Sequence, residues 1–204
     1  MGGLNMSFKL VLIRHGESEA DIPPVRHEGQ ADFPLTNRGR TQIKELSEFT
    51  INNYSFDRIY SSSLKRAKES AEVINRDMNS EIVFCDELME MNNGVLAGMT
   101  KKEAQVKYPI PADRREHESV EGGESLIDFK YRIEKVLSKI KAEAEREELQ
   151  QVCIVGHGGT ISMIIQMLLQ VPPFKHGFVS GDAGISELTV HRDKVIVNFL
   201  NRYY

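Results

Sequence analysis

Hydrophobic and polar positions along the 204-residue chain follow two periods. Short, mostly apolar runs bounded by turn formers read as buried strands, and longer stretches with an apolar residue every three or four positions read as helices. Phe8-Lys9-Leu10-Val11-Leu12-Ile13 is the first apolar run, with Gly16 close behind it. A loop through Pro23, Pro24 and Pro34 follows, and Thr36 then offers an N-cap to a helix expected to reach about Asn52. Residues 57–60 read as a second strand. Ser61, Ser62 and Ser63 are expected to cap the next helix, whose inner face carries Leu64, Ala67, Ala71, Ile74 and Met78. Residues 81–85 form a third strand.

Residues 92–123 are the least regular part, with Gly94, Gly98, Pro109, Pro111 and a charged segment at 114–118. They read as an excursion that covers the body of the molecule, not as a second domain. Ser125 and Asp128 make a capping-box pattern ahead of Leu126, Phe129, Ile133, Val136, Leu137 and Ile140, which predicts the longest helix. The charged run at 141–148 is its solvated face. Residues 152–155 read as a buried strand and 161–169 as a nearly all-apolar helix that needs cover on most sides. Residues 185–190 and 195–200 flank Arg192-Asp193 as a terminal hairpin. Strands alternating with helices predict an α/β fold with three α/β/α layers and a mostly parallel central sheet. One domain over residues 1–204 is expected, with residues 1–5 read as an extension ahead of an alternative start at Met6.

Charge narrows the choice of partner. The 30 acidic and 26 basic side chains give a net charge of -4, so nothing draws the chain as a whole to nucleic acid or to an anionic membrane. An anion would need a local cluster of cations. Cys85 and Cys153 are far apart and lack a neighbouring ligand pattern, so neither a disulfide framework nor a metal site is expected. No apolar run nears the roughly 20 residues that cross a bilayer, and Met6 stands where a myristoylation signal wants Ser or Thr. The cytoplasm is the expected compartment.

Candidate chemistry lies in a local echo. Val11-Leu12-Ile13-Arg14-His15-Gly16 and Cys153-Ile154-Val155-Gly156-His157-Gly158 each run an apolar strand into His-Gly. Parallel strands end on one edge of a sheet, and adjacent strands would bring both imidazoles into one crevice. A helix starting after each pair would turn free N–H groups toward an anion there. Arg14 adds a cation, and Arg66 in the helix after the second strand could face the same edge with a fork of donors suited to phosphate. Taken alone, either His-Gly is as readily a plain turn, Arg66 a surface residue and Glu90 a solvated carboxylate. His27, His117, His176 and His191 carry no motif and are read as surface residues.

Leu12-Ile13-Arg14-His15-Gly16-Glu17-Ser18 resembles the hallmark of the histidine phosphatase superfamily, which includes the cofactor-dependent phosphoglycerate mutases. Pro34-Leu35-Thr36-Asn37-Arg38-Gly39, Tyr60-Ser61-Ser62-Ser63-Leu64-Lys65-Arg66-Ala67 and Val155-Gly156-His157-Gly158-Gly159 resemble its later blocks. The resemblance covers nearly the whole chain. It implies a phosphoglycerate mutase-like fold in which His15 becomes phosphorylated, Arg14, Arg66 and His157 bind phosphoryl oxygens, and Glu90 donates the proton. Ser18 and the backbone at Gly158 are further phosphate contacts. No metal or cofactor is implied, because the cationic groups take that part. The expected partners are a small phosphate ester and, at most, a second copy of the chain.

Two departures touch specificity. Many relatives have Asn where this chain has Asp21, and an acidic residue where it has Ala97. A carboxylate near a phosphate pocket repels its ligand unless it is paired or turned away. Arg114 and Arg115 resemble the paired arginines that hold a substrate carboxylate in the mutases, whose excursion is usually longer than residues 91–124 here. Hydrolysis of a small phosphomonoester through phosphohistidine is thus the leading expectation. Mutase-type transfer and phospholigand binding without turnover are the alternatives.

Overall fold

Six strands form one mixed sheet. They are β1 (Ser7–Arg14), β2 (Arg58–Ser62), β3 (Glu81–Cys85), β4 (Gln151–Gly156), β5 (Ile185–His191) and β6 (Val195–Arg202), in the spatial order β3-β2-β4-β1-β5-β6. The β2–β3, β2–β4 and β1–β4 pairs are parallel, and the β1–β5 and β5–β6 pairs are antiparallel. The structure is a computed structural model that describes residues 7–111, 113–172 and 177–204. The expectations for residues 1–5, Met6 and His176 lie outside them.

Alternate strand residues feed two cores. Leu10, Leu12, Val152, Ile154 and Leu188 point to one face, where α4 (Leu126–Arg146) and α5 (Gly158–Leu168) cover them with Phe129, Ile133, Ile140, Ile161 and Ile164. Val11, Ile13, Ile59, Cys153, Val155 and Ile185 point to the other, under α1 (Asn37–Asn53) and α2 (Lys65–Asn75), which contribute Ile43, Leu46, Ala67, Ala71 and Ile74. The parallel strands carry near-continuous apolar runs because both faces are covered. The three-layer α/β/α arrangement therefore stands.

Helix starts follow their caps. Thr36 Oγ1 accepts from Gly39 N at 2.9 Å, and Ser125 and Asp128 close the expected capping box. The serine run is different. Ser61 and Ser62 are paired with Phe84 and Cys85 inside β2, and Leu64 holds the N-cap position of α2 with no side-chain cap bond. Ladder pairing on both sides outweighed the serines' preference for caps. Met78 lies beyond the end of α2, since Asn75 turns its side chain onto Ser80 and Asn79 adopts φ 57°. The irregular excursion holds one further helix, α3 (Lys101–Lys107), started by a capping box between Thr100 and Glu103.

Candidate active site

The β1–β4 register sets Ile13 beside Val155 and Arg14 beside Gly156, so the next residues, His15 and His157, meet at the carboxyl edge of the sheet. Their ring centroids are 5.1 Å apart and both side chains are buried. His15 is pinned through its backbone: its N–H donates to Gly156 O at 3.1 Å and its carbonyl accepts from Ala183 N at 3.0 Å. Gly16 must be glycine, because a Cβ there would stand 2.4 Å from Gly39 O at the start of α1. This close passage explains why the block around Thr36 and Gly39 accompanies the Arg-His-Gly block. Thr36 N and Thr36 Oγ1 both donate to Glu17, at 3.0 and 2.7 Å.

The His15 tautomer follows from its neighbours. Nδ1 lies 2.7 Å from Gly16 O, a group that only accepts, so Nδ1 carries the hydrogen and Nε2 keeps its lone pair. Arg66 Nε donates to that Nε2 at 3.2 Å. Burial, followed by the charges of Arg66 and Arg14, holds His15 well below the usual imidazole range, so the ring is neutral at physiological pH. His157 is lowered by the same burial and by Arg66.

Arg66, in the first turn of α2, is fully buried. Besides His15 it donates to Gly29 O and Ala31 O, each at 2.9 Å, and so clamps the loop at 28–31 across the pocket. Arg14 donates to Ser180 O at 2.8 Å and pairs with Asp182 at 3.0 Å. Among the described residues three buried side-chain atoms are left without a protein partner, Arg14 Nε, His157 Nδ1 and Ser180 Oγ. Buried polar atoms are nearly always satisfied. His157 Nε2 lies 2.8 Å from Ser62 Oγ, whose hydroxyl hydrogen has no other acceptor among the described residues and is given to Nε2. Nδ1–H is then a free donor. A lone pair on His15 beside unpartnered donors on His157 and Arg14 is a pocket that takes a tetrahedral oxyanion.

Glu90 enters from the loop after β3. Its carboxyl accepts from Gly159 N and Met91 N at 2.8 Å each, and burial pushes it above the usual carboxylate range against these two bonds. The rim of Glu90 is accessible while its charge faces protein, which suits a group that gives up and retakes one proton. Gly159 is required here, since a Cβ would stand 2.5 Å from Glu90 Oε1. Arg132 of α4 grips the loop, donating to Glu87 O, Met89 O and Glu90 O while paired with Glu124 at 2.6 Å.

Of the residues singled out in the sequence, His15, His157, Arg14, Arg66 and Glu90 converge, and Gly158 lies against Arg14. Ser18 and Asp21 lie beside the pocket but engage each other, with Ser18 Oγ 3.0 Å from Asp21 Oδ2. Among the described residues, no hydrogen bond or ion pair links Arg114 or Arg115 to these groups. Arg114 lines a separate surface hollow with Tyr108 and Pro111, and Arg115 is exposed. His117 is exposed and His27 and His191 are half-buried, away from the histidine pair.

Four participants were not singled out: Glu28, Ser62, Arg132 and Asp182. Asp182 sits in Gly181-Asp182-Ala183-Gly184, a turn signature that could have marked it. Ser62 and Arg132 had no signal beyond position in an element. Glu28 lies in a loop with no periodicity, yet its carboxylate is 3.4 Å from Arg66 Nε and 3.9 Å from His15 Nε2, and it also contacts Ser18 Oγ.

The sequence profile of the histidine phosphatase superfamily (branch 1) matches residues 10–202. Phosphoserine phosphatase 1 of Hydrogenobacter thermophilus is 36% identical over 153 residues, covering 73% of this chain and 70% of that protein. A 2,3-bisphosphoglycerate-dependent phosphoglycerate mutase of Cytophaga hutchinsonii is 30% identical over 195 residues, covering 93% and 90%. The crystal structure of the alpha-ribazole phosphatase from Shigella flexneri superposes with a TM-score of 0.81 at 25% identity, covering 96% of each chain.

Proposed function

The chain belongs to the histidine phosphatase superfamily, and we propose that the pocket around His15 and His157 is where it hydrolyses a small phosphomonoester. The single observation behind this assignment is the buried pair of His15 and His157, with His15 Nε2 unprotonated against Arg66 and with His157 Nδ1 and Arg14 Nε unpartnered.

In this reading the phosphoryl group lies between the two imidazoles. His15 Nε2 attacks phosphorus in line while the ester oxygen departs, and Glu90 gives that oxygen its proton. His157 Nδ1–H, Arg14 and Arg66 hold the equatorial oxygens, whose charge is redistributed in the transition state. The phosphorylated His15 is then attacked by water, from which the Glu90 carboxylate takes a proton. Imidazole is released with its lone pair restored, and both groups return to their starting state.

The substrates for which the relatives are named, phosphoserine and an alpha-ribazole phosphate among them, share only the terminal phosphoryl group, and we read this chain as acting on a small ester of that kind. Groups from the ends of β1 and β4, from α2 and from the loop after β3 meet in one pocket, which supports reading the chain as one catalytic domain. Among the described residues no helix is long and apolar enough to cross a membrane, and both cysteines are free and buried, which is in keeping with the cytoplasm.

The test is rapid quenching with labelled phosphate ester. An acid-labile, base-stable adduct on His15, lost together with turnover in His15→Ala, supports the assignment. Turnover that survives His15→Ala excludes it, and isomerisation of 3-phosphoglycerate without phosphate release would favour the mutase reading.

A further inference from the structure

We propose that Glu28 restricts this pocket to a phosphoryl group that carries one proton. The inference rests on the phosphatase reading and adds to it which charge state of the ester is taken.

Glu28 stands in the phosphoryl subsite. Arg66 fixes the loop by its bonds to Gly29 O and Ala31 O, and this places the Glu28 carboxylate against Arg66 Nε at 3.4 Å and His15 Nε2 at 3.9 Å. These are two of the atoms that a phosphoryl group must meet. The Glu28 Oε1 that faces Arg66 also contacts Ser18 Oγ, which lies 3.0 Å from Asp21 Oδ2 and accepts from Ala20 N at 3.2 Å. A hydroxyl has one hydrogen to give. It satisfies one carboxylate oxygen and leaves the other without a hydrogen.

The charges around the pocket point the same way. Arg14 and Arg66 supply two positive charges. Asp182 neutralises Arg14 at 3.0 Å, Glu28 lies on Arg66, and Asp21 stands behind Ser18. Glu90 and Asp182 also feel the negative charge of Glu28, Glu90 chiefly being raised by burial and Asp182 likewise. Two cations against the three carboxylates of Asp21, Glu28 and Asp182 leave one negative charge before any ligand arrives. A dianionic ester would face that deficit, and its oxygens would meet Glu28 with no hydrogen between them. One proton on the phosphoryl group resolves both problems, because its hydroxyl donates to Glu28.

The proton is retained, so the chemistry balances. The ester enters as ROPO3H−, the His15 Nε2–P bond forms as the P–OR bond breaks, and Glu90 gives its proton to the alkoxide. Water then attacks phosphorus, the N–P bond breaks, Glu90 recovers a proton from the water, and H2PO4− departs.

The test compares the parent with Glu28→Gln, each checked for folding by circular dichroism, with Glu28→Ser as the alternative if the amide variant does not fold. Inorganic phosphate is titrated calorimetrically at about pH 5.5 and about pH 8, on either side of its second ionisation, which lies above the value of about 6 for a phosphate monoester. The parent is expected to bind phosphate at least about tenfold more weakly at the higher pH, and the variant to lose most of that ratio, one pKa unit being a factor of ten. In parallel, kcat/KM for p-nitrophenyl phosphate in the variant should overtake the parent in the alkaline range. An unchanged affinity ratio with parallel rate profiles overturns the role of Glu28 while hydrolysis stands. Absence of hydrolysis by the parent at every pH is instead the failure of the phosphatase reading, and the calorimetric ratio still decides for or against Glu28.

Discussion

Arg14 faces Gly156 across the β1–β4 ladder, and this one register pair puts the following residues, His15 and His157, 5.1 Å apart between ring centres. A one-residue slip would turn every side chain of β1 to the opposite face. Hence the same pairing that buries Leu10 and Val11 on opposite sides of the sheet also sets the His15 imidazole against that of His157.

Glu90→Gln removes the exchangeable proton and keeps one of the two backbone bonds, since Met91 N and Gly159 N donate to different carboxylate oxygens and an amide nitrogen cannot accept. For alkyl phosphates kcat should fall by about 10²–10⁴-fold, the usual contribution of a general acid. For p-nitrophenyl phosphate, whose leaving group needs little protonation, the loss should be much smaller. Steady-state kinetics on both esters checks the contrast.

Gly159→Ala and Gly39→Ala should separate activity from stability. The Cβ at 159 would meet the far end of Glu90 at 2.5 Å, and that side chain can swing aside. Stability should stay within about 1 kcal/mol of the parent, while kcat drops because the carboxyl has left its place. At position 39 the Cβ would meet Glu17 O at 2.1 Å, and backbone cannot swing. Denaturant unfolding should show a loss of about 1–3 kcal/mol there, as for other overpacked sites.

Ser62→Ala takes from His157 Nε2 its only hydrogen-bond partner among the described residues. The unsatisfied buried nitrogen should cost about 1–3 kcal/mol in stability, and the tautomer that aims Nδ1–H at phosphate loses its bias. A roughly tenfold fall in kcat/KM, equivalent to ~1.4 kcal/mol of transition-state binding, is expected. Nitrogen NMR of the imidazole would show the redistribution of tautomers directly.

Acid should destabilise the fold. His15 and His157 are held neutral well below 6.5, so below that pH the unfolded chain binds protons that the folded chain refuses, and stability falls as pH falls. Glu90 and Asp182 are raised and act in the opposite sense: the stability they contribute below their ordinary values is lost as pH rises through their folded ones. The imidazole shifts are the deeper, so the midpoint of thermal unfolding should drop between about pH 7 and 5. In His157→Gln the dependence should shrink, and a pH series of melting curves measures it.

Most of the site was legible because its chemistry sits at strand ends. Arg14-His15-Gly16 and Gly156-His157-Gly158 announce themselves by the apolar runs before them, and Ser125 with Asp128 fixed the start of α4. Helix α3 escaped notice because its Thr100–Glu103 cap precedes only seven residues with little apolar period. Glu28 escaped for a different reason. Its position depends on the grip of Arg66 on Gly29 and Ala31, a tertiary contact across 35 and more residues with no trace in local pattern. The serines at 61–63 misled because cap preference and strand pairing compete, and two neighbouring strands won.

Strand β4 is the last parallel strand in the chain, yet it lies between the first two and is their shared neighbour. A growing polypeptide therefore cannot close its sheet until residues 151–156 arrive, and the second imidazole comes with them. The joining of β1 to the β2–β3 pair and the arrival of the second imidazole are then a single event, with β5 and β6 still to be added on the β1 edge.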